Sequence, residues 1–198
     1  MAPYQPRYKR APDASGPRSA QSPASAPVPA ADRAPEALGR DICYRLLAIS
    51  PRTRAQLASA MHRRGVPDEV ADSVLDKFTE AGLIDDAAFA KAWVESRHHG
   101  RGLSRRSLSA ELRQRGVDND DIGEAVEIVD PDQEVATARR LVERKLAASS
   151  GQPPEVRTRR VASMLARKGY PAGLAFRLIR EVLEQEGADT EDLAFPVD

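Results

Sequence analysis

Apolar side chains recur at three- and four-residue spacing along most of this chain, and no stretch sustains the two-residue alternation of a half-buried strand. Ile42, Leu46 and Ile49, widened by Leu47, make one stripe. Phe89, Ala90, Trp93 and Val94 make a second, and Val135, Ala138, Leu141 and Val142 a third. Each is followed by two shorter stripes: Leu57 and Met61, then Val70, Val74 and Phe78; Leu108 and Leu112, then Ile122, Val126 and Val129; Val161 and Leu165, then Leu174, Leu178 and Val182. The pattern predicts three copies of a three-helix unit.

The punctuation between stripes agrees. Gly65, Gly116 and Gly169 stand in register after the middle stripes, 51 and 53 residues apart, each followed by an apolar residue. A glycine there suits a left-handed position closing a helix, with the next residue folding back on its last turn. Thr53 with Gln56 forms a capping box, and Asp118 is a good N-cap. Asp85 reads as an N-cap with Asp86 in the first turn, and Asp130 before Pro131 marks another helix start. Pro67 and Pro171 fall where a first turn tolerates proline.

The expected fold is therefore all-α: three tandem three-helix repeats over 39–82, 83–129 and 130–187. They form an elongated, gently curved array whose small units support one another through shared interfaces. Residues 1–38, rich in Pro, Ala and Ser, predict a disordered tail, and 188–198 an acidic one.

Composition alone names no partner, because 30 Lys and Arg balance 30 Asp and Glu. The distribution says more. The middle helices are basic: Arg52, Arg54, Arg63 and Arg64 in the first, Arg157, Arg159, Arg160, Arg167 and Lys168 in the third. Between them, 97–115 carries Arg97, Arg101, Arg105, Arg106, Arg113 and Arg115 against only Glu111. By contrast, Asp118 to Glu134 has eight acidic residues and no basic one. Such segregation either complements helix dipoles or builds a basic stripe for phosphates or an acidic protein face. The 97–106 segment, with His98, His99, Gly100 and Gly102, reads as a flexible cationic loop. Phe89, Trp93 and Val94 read as core rather than contact residues.

Catalytic and metal chemistry find no motif. His62, His98 and His99 are the only histidines, without HExxH or paired-cysteine spacing. Gly100–Arg101–Gly102 lacks both a preceding strand and a P-loop lysine. Cys43 beside Ile42 and Leu46 reads as a small buried residue, and a lone cysteine fits a reducing cytoplasm. No run approaches the roughly 18 apolar residues of a membrane span, and the N-terminus has no apolar signal region. The expectation is a cytoplasmic, monomeric binding protein, not an enzyme, with no cofactor and no metal.

The join between the first two units is more specific. Gly82–Leu83–Ile84–Asp85–Asp86, then Phe89–Ala90, Val94 and Arg97, resembles the signature of the RecX family of bacterial regulators. Arg101–Gly102, Leu108, Glu111–Leu112 and Arg115–Gly116–Val117 continue the pattern. The resemblance spans the whole folded region. It implies a modulator, usually an inhibitor, of the RecA recombinase, lying in the groove of the RecA filament on DNA and limiting its ATPase, strand-exchange and coprotease activities. Arg97, Arg101, Arg105, Arg106, Arg113 and Arg115 then become candidate contacts to the filament, whether to RecA or to single- or double-stranded DNA. A reading from another class is a sequence-independent DNA-binding, nucleoid-type protein that acts without RecA.

Overall fold

The computed structural model describes residues 30–187, and among them there are nine helices and no strand. The first unit holds α1 (Ala30–Leu47), α2 (Arg54–His62) and α3 (Asp68–Glu80). The second holds α4 (Asp86–Arg101), α5 (Arg105–Gln114) and α6 (Asn119–Glu127), and the third α7 (Pro131–Ala147), α8 (Pro154–Arg167) and α9 (Ala172–Gln185). The tails expected at 1–29 and 188–198 lie outside the described residues.

The helix ends form for the reasons the sequence suggested. Thr53 accepts from the Gln56 N–H at 3.2 Å while its own N–H donates to Gln56 Oε1 at 3.3 Å, completing the capping box. Asp85 caps α4 through the Ala88 N–H, Asp118 caps α6, and Asp130 accepts from the N–H groups of Asp132 and Gln133. After each middle helix the glycine is left-handed, with φ of +77° at Gly65, +75° at Gly116 and +86° at Gly169. The next N–H then reaches back five residues: Val66 to Met61, Val117 to Leu112 and Tyr170 to Leu165, at 3.1–3.2 Å. Val66, Val117 and Tyr170 are thereby buried.

Three expectations change. The tail placed at 1–38 gives way to helix from Ala30, because Glu36 on α1 bonds Lys77 on α3 at 2.9 Å and Gly39 lies against Met61 and Val74. Ile49 is no core residue: α1 ends at Leu47 and Ile49 is 76% exposed. The units also do not share one apolar core. Buried residues fall into three separate clusters, one per unit, around Leu57, Met61 and Leu75, around Val94, Leu108 and Leu112, and around Leu146, Leu165 and Ile179.

What joins the units is hydrogen bonding at the middle helices. The Thr53 hydroxyl, at the N-terminus of α2, donates to the Arg115 carbonyl just past α5 at 2.6 Å. The Arg54 N–H donates to Asp86 Oδ1 on α4 at 2.9 Å. One unit further, the Ser104 N–H donates to the Lys168 carbonyl just past α8 at 2.9 Å, and the Arg105 N–H to Glu134 Oε1 on α7 at 2.8 Å. The two junctions are the same device repeated. The middle helices α8, α5 and α2 consequently meet head to tail, each C-terminus on the N-terminus of the middle helix before it in sequence.

The glycines permit this approach. A Cβ at Gly116 would sit 2.3 Å from Ala55 Cβ, and one at Gly169 would sit 2.2 Å from Ser107 Oγ and 2.5 Å from Ser104 Oγ. Gly65, with no unit before it, has nothing within 4 Å of the equivalent position. The third unit departs at the opposite end of its middle helix. Counting back from Val161 as from Leu108 and Leu57, the residue matching caps Ser104 and Thr53 is Arg157, already inside α8. This helix begins a turn earlier, at Pro153–Pro154, with no side-chain cap.

Two outcomes follow for stability. Gly65→Ala costs only left-handed strain, about 1–2 kcal/mol. Gly169→Ala adds overpacking against Ser104 and Ser107, about 1–3 kcal/mol more, and equal losses in urea titration would contradict the junction geometry. At Asp86, burial holds the carboxyl above its ordinary pKa, partly offset by the Arg54 N–H. A raised acid pKa means the fold favours the protonated form, so Asp86 gains relative stability as pH falls through that pKa and loses it as pH rises. Asp86→Asn keeps an acceptor for Arg54, so its melting temperature should match or exceed the parent's at pH 7, with the advantage shrinking towards pH 4. Asp86→Ala should lose about 1 kcal/mol at either pH by orphaning the N–H.

Candidate functional site

The six candidate arginines do not form one patch; the junctions divide them. Arg97 and Arg115 meet at Trp93, their guanidinium carbons 4.1 and 3.7 Å from its ring centroid. Trp93 donates its indole N–H to Glu111 at 2.9 Å and stacks on Phe89, with ring centroids 5.8 Å apart. Glu111, the one acid in the basic middle stretch, therefore orients the aromatic platform. Phe89 and Trp93 are half-buried, packed on the edge of the second core, while Val94 is fully inside it. Together with Leu83, Arg52, Arg97 and Arg115 they wall a depression of about 680 Å³. Leu83 is 48% exposed there.

Arg113 and Arg115 also line a second groove of about 550 Å³ at the first junction, where Arg52 and Arg63 face them. Arg113 is exposed and donates to the Asn119 side chain at 3.3 Å. Arg101 lies one unit away, in a cleft of about 860 Å³ between the second and third units. Arg105 and Arg106 sit on the first turn of α5 between the two grooves, Arg105 held through its N–H by Glu134 and Arg106 exposed.

The flexible loop expected over 97–106 is instead well-bonded structure. Helix α4 runs through Gly100 to Arg101, and Gly102 ends it in the left-handed region at φ +61°. A Cβ at Gly102 would meet Leu141 Cδ1 at 2.9 Å, so the turn lies flat on α7. His98 is buried. Its Nδ1 bonds the Leu103 carbonyl at 2.9 Å and its Nε2 the Thr137 hydroxyl at 3.2 Å. Since a carbonyl only accepts, Nδ1 carries a proton and donates it to Leu103. Tyr170 closes the same turn, donating its hydroxyl to the Gly102 carbonyl at 3.1 Å, and burial pushes its pKa to about 12.

Arg140, Arg144, Arg167 and Lys168 complete the large cleft around Arg101. Sequence reasoning counted Arg167 and Lys168 among the basic middle helices but passed over Arg140 and Arg144, whose four-residue spacing on α7 was the available signal. No acidic residue lines either junction groove. Among the described residues none of these cations, nor any of the six candidates, lies within ion-pair distance of a carboxylate. Lys168 donates to the Arg101 carbonyl. Burial first, then the charges of Arg144 and Arg101, depress its pKa. Arg54, by contrast, leaves the cationic surface, neutralised by Asp76 at 2.7 Å and Asp72 at 3.8 Å.

Chemically these surfaces suit anionic ligands; the hydroxyl–imidazole contact beside the large cleft, Thr137 on His98, is buried. Among the described residues no group of three or more His, Cys, Asp or Glu side chains is placed to hold a metal. Cys43 is buried, and desolvation raises its thiol pKa, as suits a small core residue. No described helix is long and apolar enough to cross a membrane.

Known proteins share this arrangement. Models of the first, second and third three-helix domains of RecX match residues 40–78, 85–126 and 132–179. Regulatory protein RecX of Thermobifida fusca is 60% identical over 166 residues, 82% of this chain and 90% of that protein. Regulatory protein RecX of Streptomyces coelicolor is 56% identical over 161 residues, 81% and 86% of the two chains. A crystal structure of RecX from Lactobacillus salivarius has the same fold, with a TM-score of 0.66 at 16% identity over 76% of this chain and 97% of that one.

Trp93 is the sole tryptophan, so its emission reads the arginine stacking directly. Arg97→Ala and Arg115→Ala should each cost about 0.5–1 kcal/mol and shift the emission to the red. Unchanged emission in both variants would show that the guanidinium groups do not cover the ring.

Proposed function

The chain belongs to the RecX family, and from that premise we propose that it binds the RecA recombinase filament on DNA and modulates it. The effect is mostly inhibition of the filament's ATPase, strand-exchange and coprotease activities, exerted in the cytoplasm by a monomer. The observation that supports this reading is the run of unpaired cations at both unit junctions of a family regulator. A RecA filament on DNA is polyanionic, and a tandem array of helical units has the form to follow a helical groove. Arg97, Arg101, Arg105, Arg106, Arg113 and Arg115 are the proposed contacts. Arg101 and Arg106 are free to reach outward, while Arg97 and Arg115 present guanidinium groups already ordered against Trp93.

The same cations support a second reading, a sequence-independent DNA-binding protein that acts without RecA. Binding naked DNA as tightly as a RecA filament, with no effect on RecA turnover, would favour it.

The test is a titration of RecA ATP hydrolysis on single-stranded DNA. Replacing Arg97, Arg101, Arg105 and Arg106 together by alanine should raise the half-inhibitory concentration at least roughly tenfold, about 1.4 kcal/mol. Far-UV circular dichroism should stay unchanged, with a melting point lowered by a few degrees through the lost Arg97 stacking. Undiminished inhibition would remove these residues from the contact.

A further inference from the structure

We propose that the cleft between the second and third units is a binding site for the phosphodiester backbone of DNA, and that the groove at the first junction is its second foothold. The inference takes its setting, a filament on DNA, from the regulatory reading above, and its ligand from the geometry.

Arg101, Arg140, Arg144, Arg167 and Lys168 come from three helices and the residue capping one of them, and they converge on one open cleft without a carboxylate among its walls. Holding like charges so close is unfavourable unless something anionic occupies the space between them. Four of the five are arginines, whose planar forks pair with phosphate oxygens through two hydrogen bonds at once. The cleft is also rigid. Thr137 receives a hydrogen bond from Arg140 at 2.9 Å and is fixed in turn by His98, and the Lys168 carbonyl is tied to Ser104.

The repetition selects the ligand. The first junction presents Arg52, Arg63, Arg113 and Arg115 in a groove built by the same head-to-tail contact. The ten residues of α5 separate the two junctions, and at about 1.5 Å per residue that is roughly 15 Å. About four or five nucleotide steps of a duplex strand, at 3.4 Å of axial rise each, cover the interval. A free nucleotide or inorganic phosphate has no use for two equivalent sites in register, whereas a polymer of phosphates does. An unstacked base is not the ligand of the Trp93 face, because Arg97 and Arg115 already lie over that ring.

The experiment measures fluorescence anisotropy of labelled oligothymidylate, with the full chain, across a salt series. Arg140→Ala/Arg144→Ala/Arg167→Ala should weaken binding at least roughly tenfold. It should also make the salt slope shallower by about two, at about 0.7 per single-strand phosphate contact. The double variant Arg144→Ala/Arg167→Ala, which keeps the bond to Thr137, guards against a folding defect and should give a smaller change in the same direction. Oligonucleotides long enough to span both junctions should bind much more tightly than trinucleotides, and Arg63→Ala/Arg113→Ala should narrow that gap. Unchanged affinity and slope would overturn the site. Equal binding of short and long oligonucleotides, with full displacement by sodium triphosphate, would overturn the polymer and leave a free-anion site. RecA ATPase is followed in parallel. A triple variant that grips naked DNA normally but no longer inhibits places the cleft against an acidic protein surface, which sinks this inference and spares the regulatory reading. One that loses DNA but inhibits fully upholds the cleft and removes DNA gripping from the regulatory mechanism.

Discussion

The first N–H groups of a helix have no partner within it, and here the next unit along the chain provides one. The N–H of Arg54 is held by Asp86 and that of Arg105 by Glu134, while Thr53 and Ser104 meet the carbonyls of Arg115 and Lys168. Because these are directional bonds to backbone, they fix the register of each unit on its neighbour more tightly than an apolar contact of the same size. They also decide where the charge goes. Arginine and lysine favour helix C-termini for dipole reasons. Bringing each such end onto the N-terminus of the middle helix before it carries them into the junctions. Dipole complementation and a segregated cationic surface, which look like rival explanations of the basic residues, are one arrangement seen from two sides.

Most of the fold could be read from local chemistry. The glycine after each middle helix, the Thr53–Gln56 box and the aspartate caps are short-range signals, and the apolar stripes locate the cores. What escaped the sequence depends on partners far along the chain. Gly100 and Gly102 suggested a loose loop, but Gly100 is inside α4 and Gly102 closes it against Leu141. His98, placed by the sequence in that flexible cationic loop, is instead a buried pin joining Leu103 to Thr137. Arg140 and Arg144 were hidden for a similar reason: α7 announces itself by its apolar stripe, and only the packing of α4 and α8 beside it turns its polar face into the wall of a cleft. Residues 30–38 read as tail because the tie that orders them, Glu36 to Lys77, spans 41 residues.

The neutral total charge conceals this partition. Arg54 is matched by Asp76 and Lys91 by Glu124, in pairs that are exposed or nearly so and contribute little to stability. Arg157, the exception, is buried and matched by Glu186. Among the described residues the cations at the junctions have no carboxylate within ion-pair distance. The cores and the backbone bonds hold the fold together, and of these cations Arg115 adds its stacking on Trp93.

A head-to-tail device that works twice within a chain has no inherent reason to stop, and identical surfaces at the two ends would let copies add to one another indefinitely. The extra first turn of α8 makes this end of the array different. Pro153 and Pro154 have no N–H to offer, and Arg157 stands where a hydroxyl cap would be, turned inward to the Leu146 carbonyl. The start of α8 therefore lacks the hydroxyl cap and the leading N–H groups that both junctions use, and the two ends of the array are not copies of the surfaces that join its units.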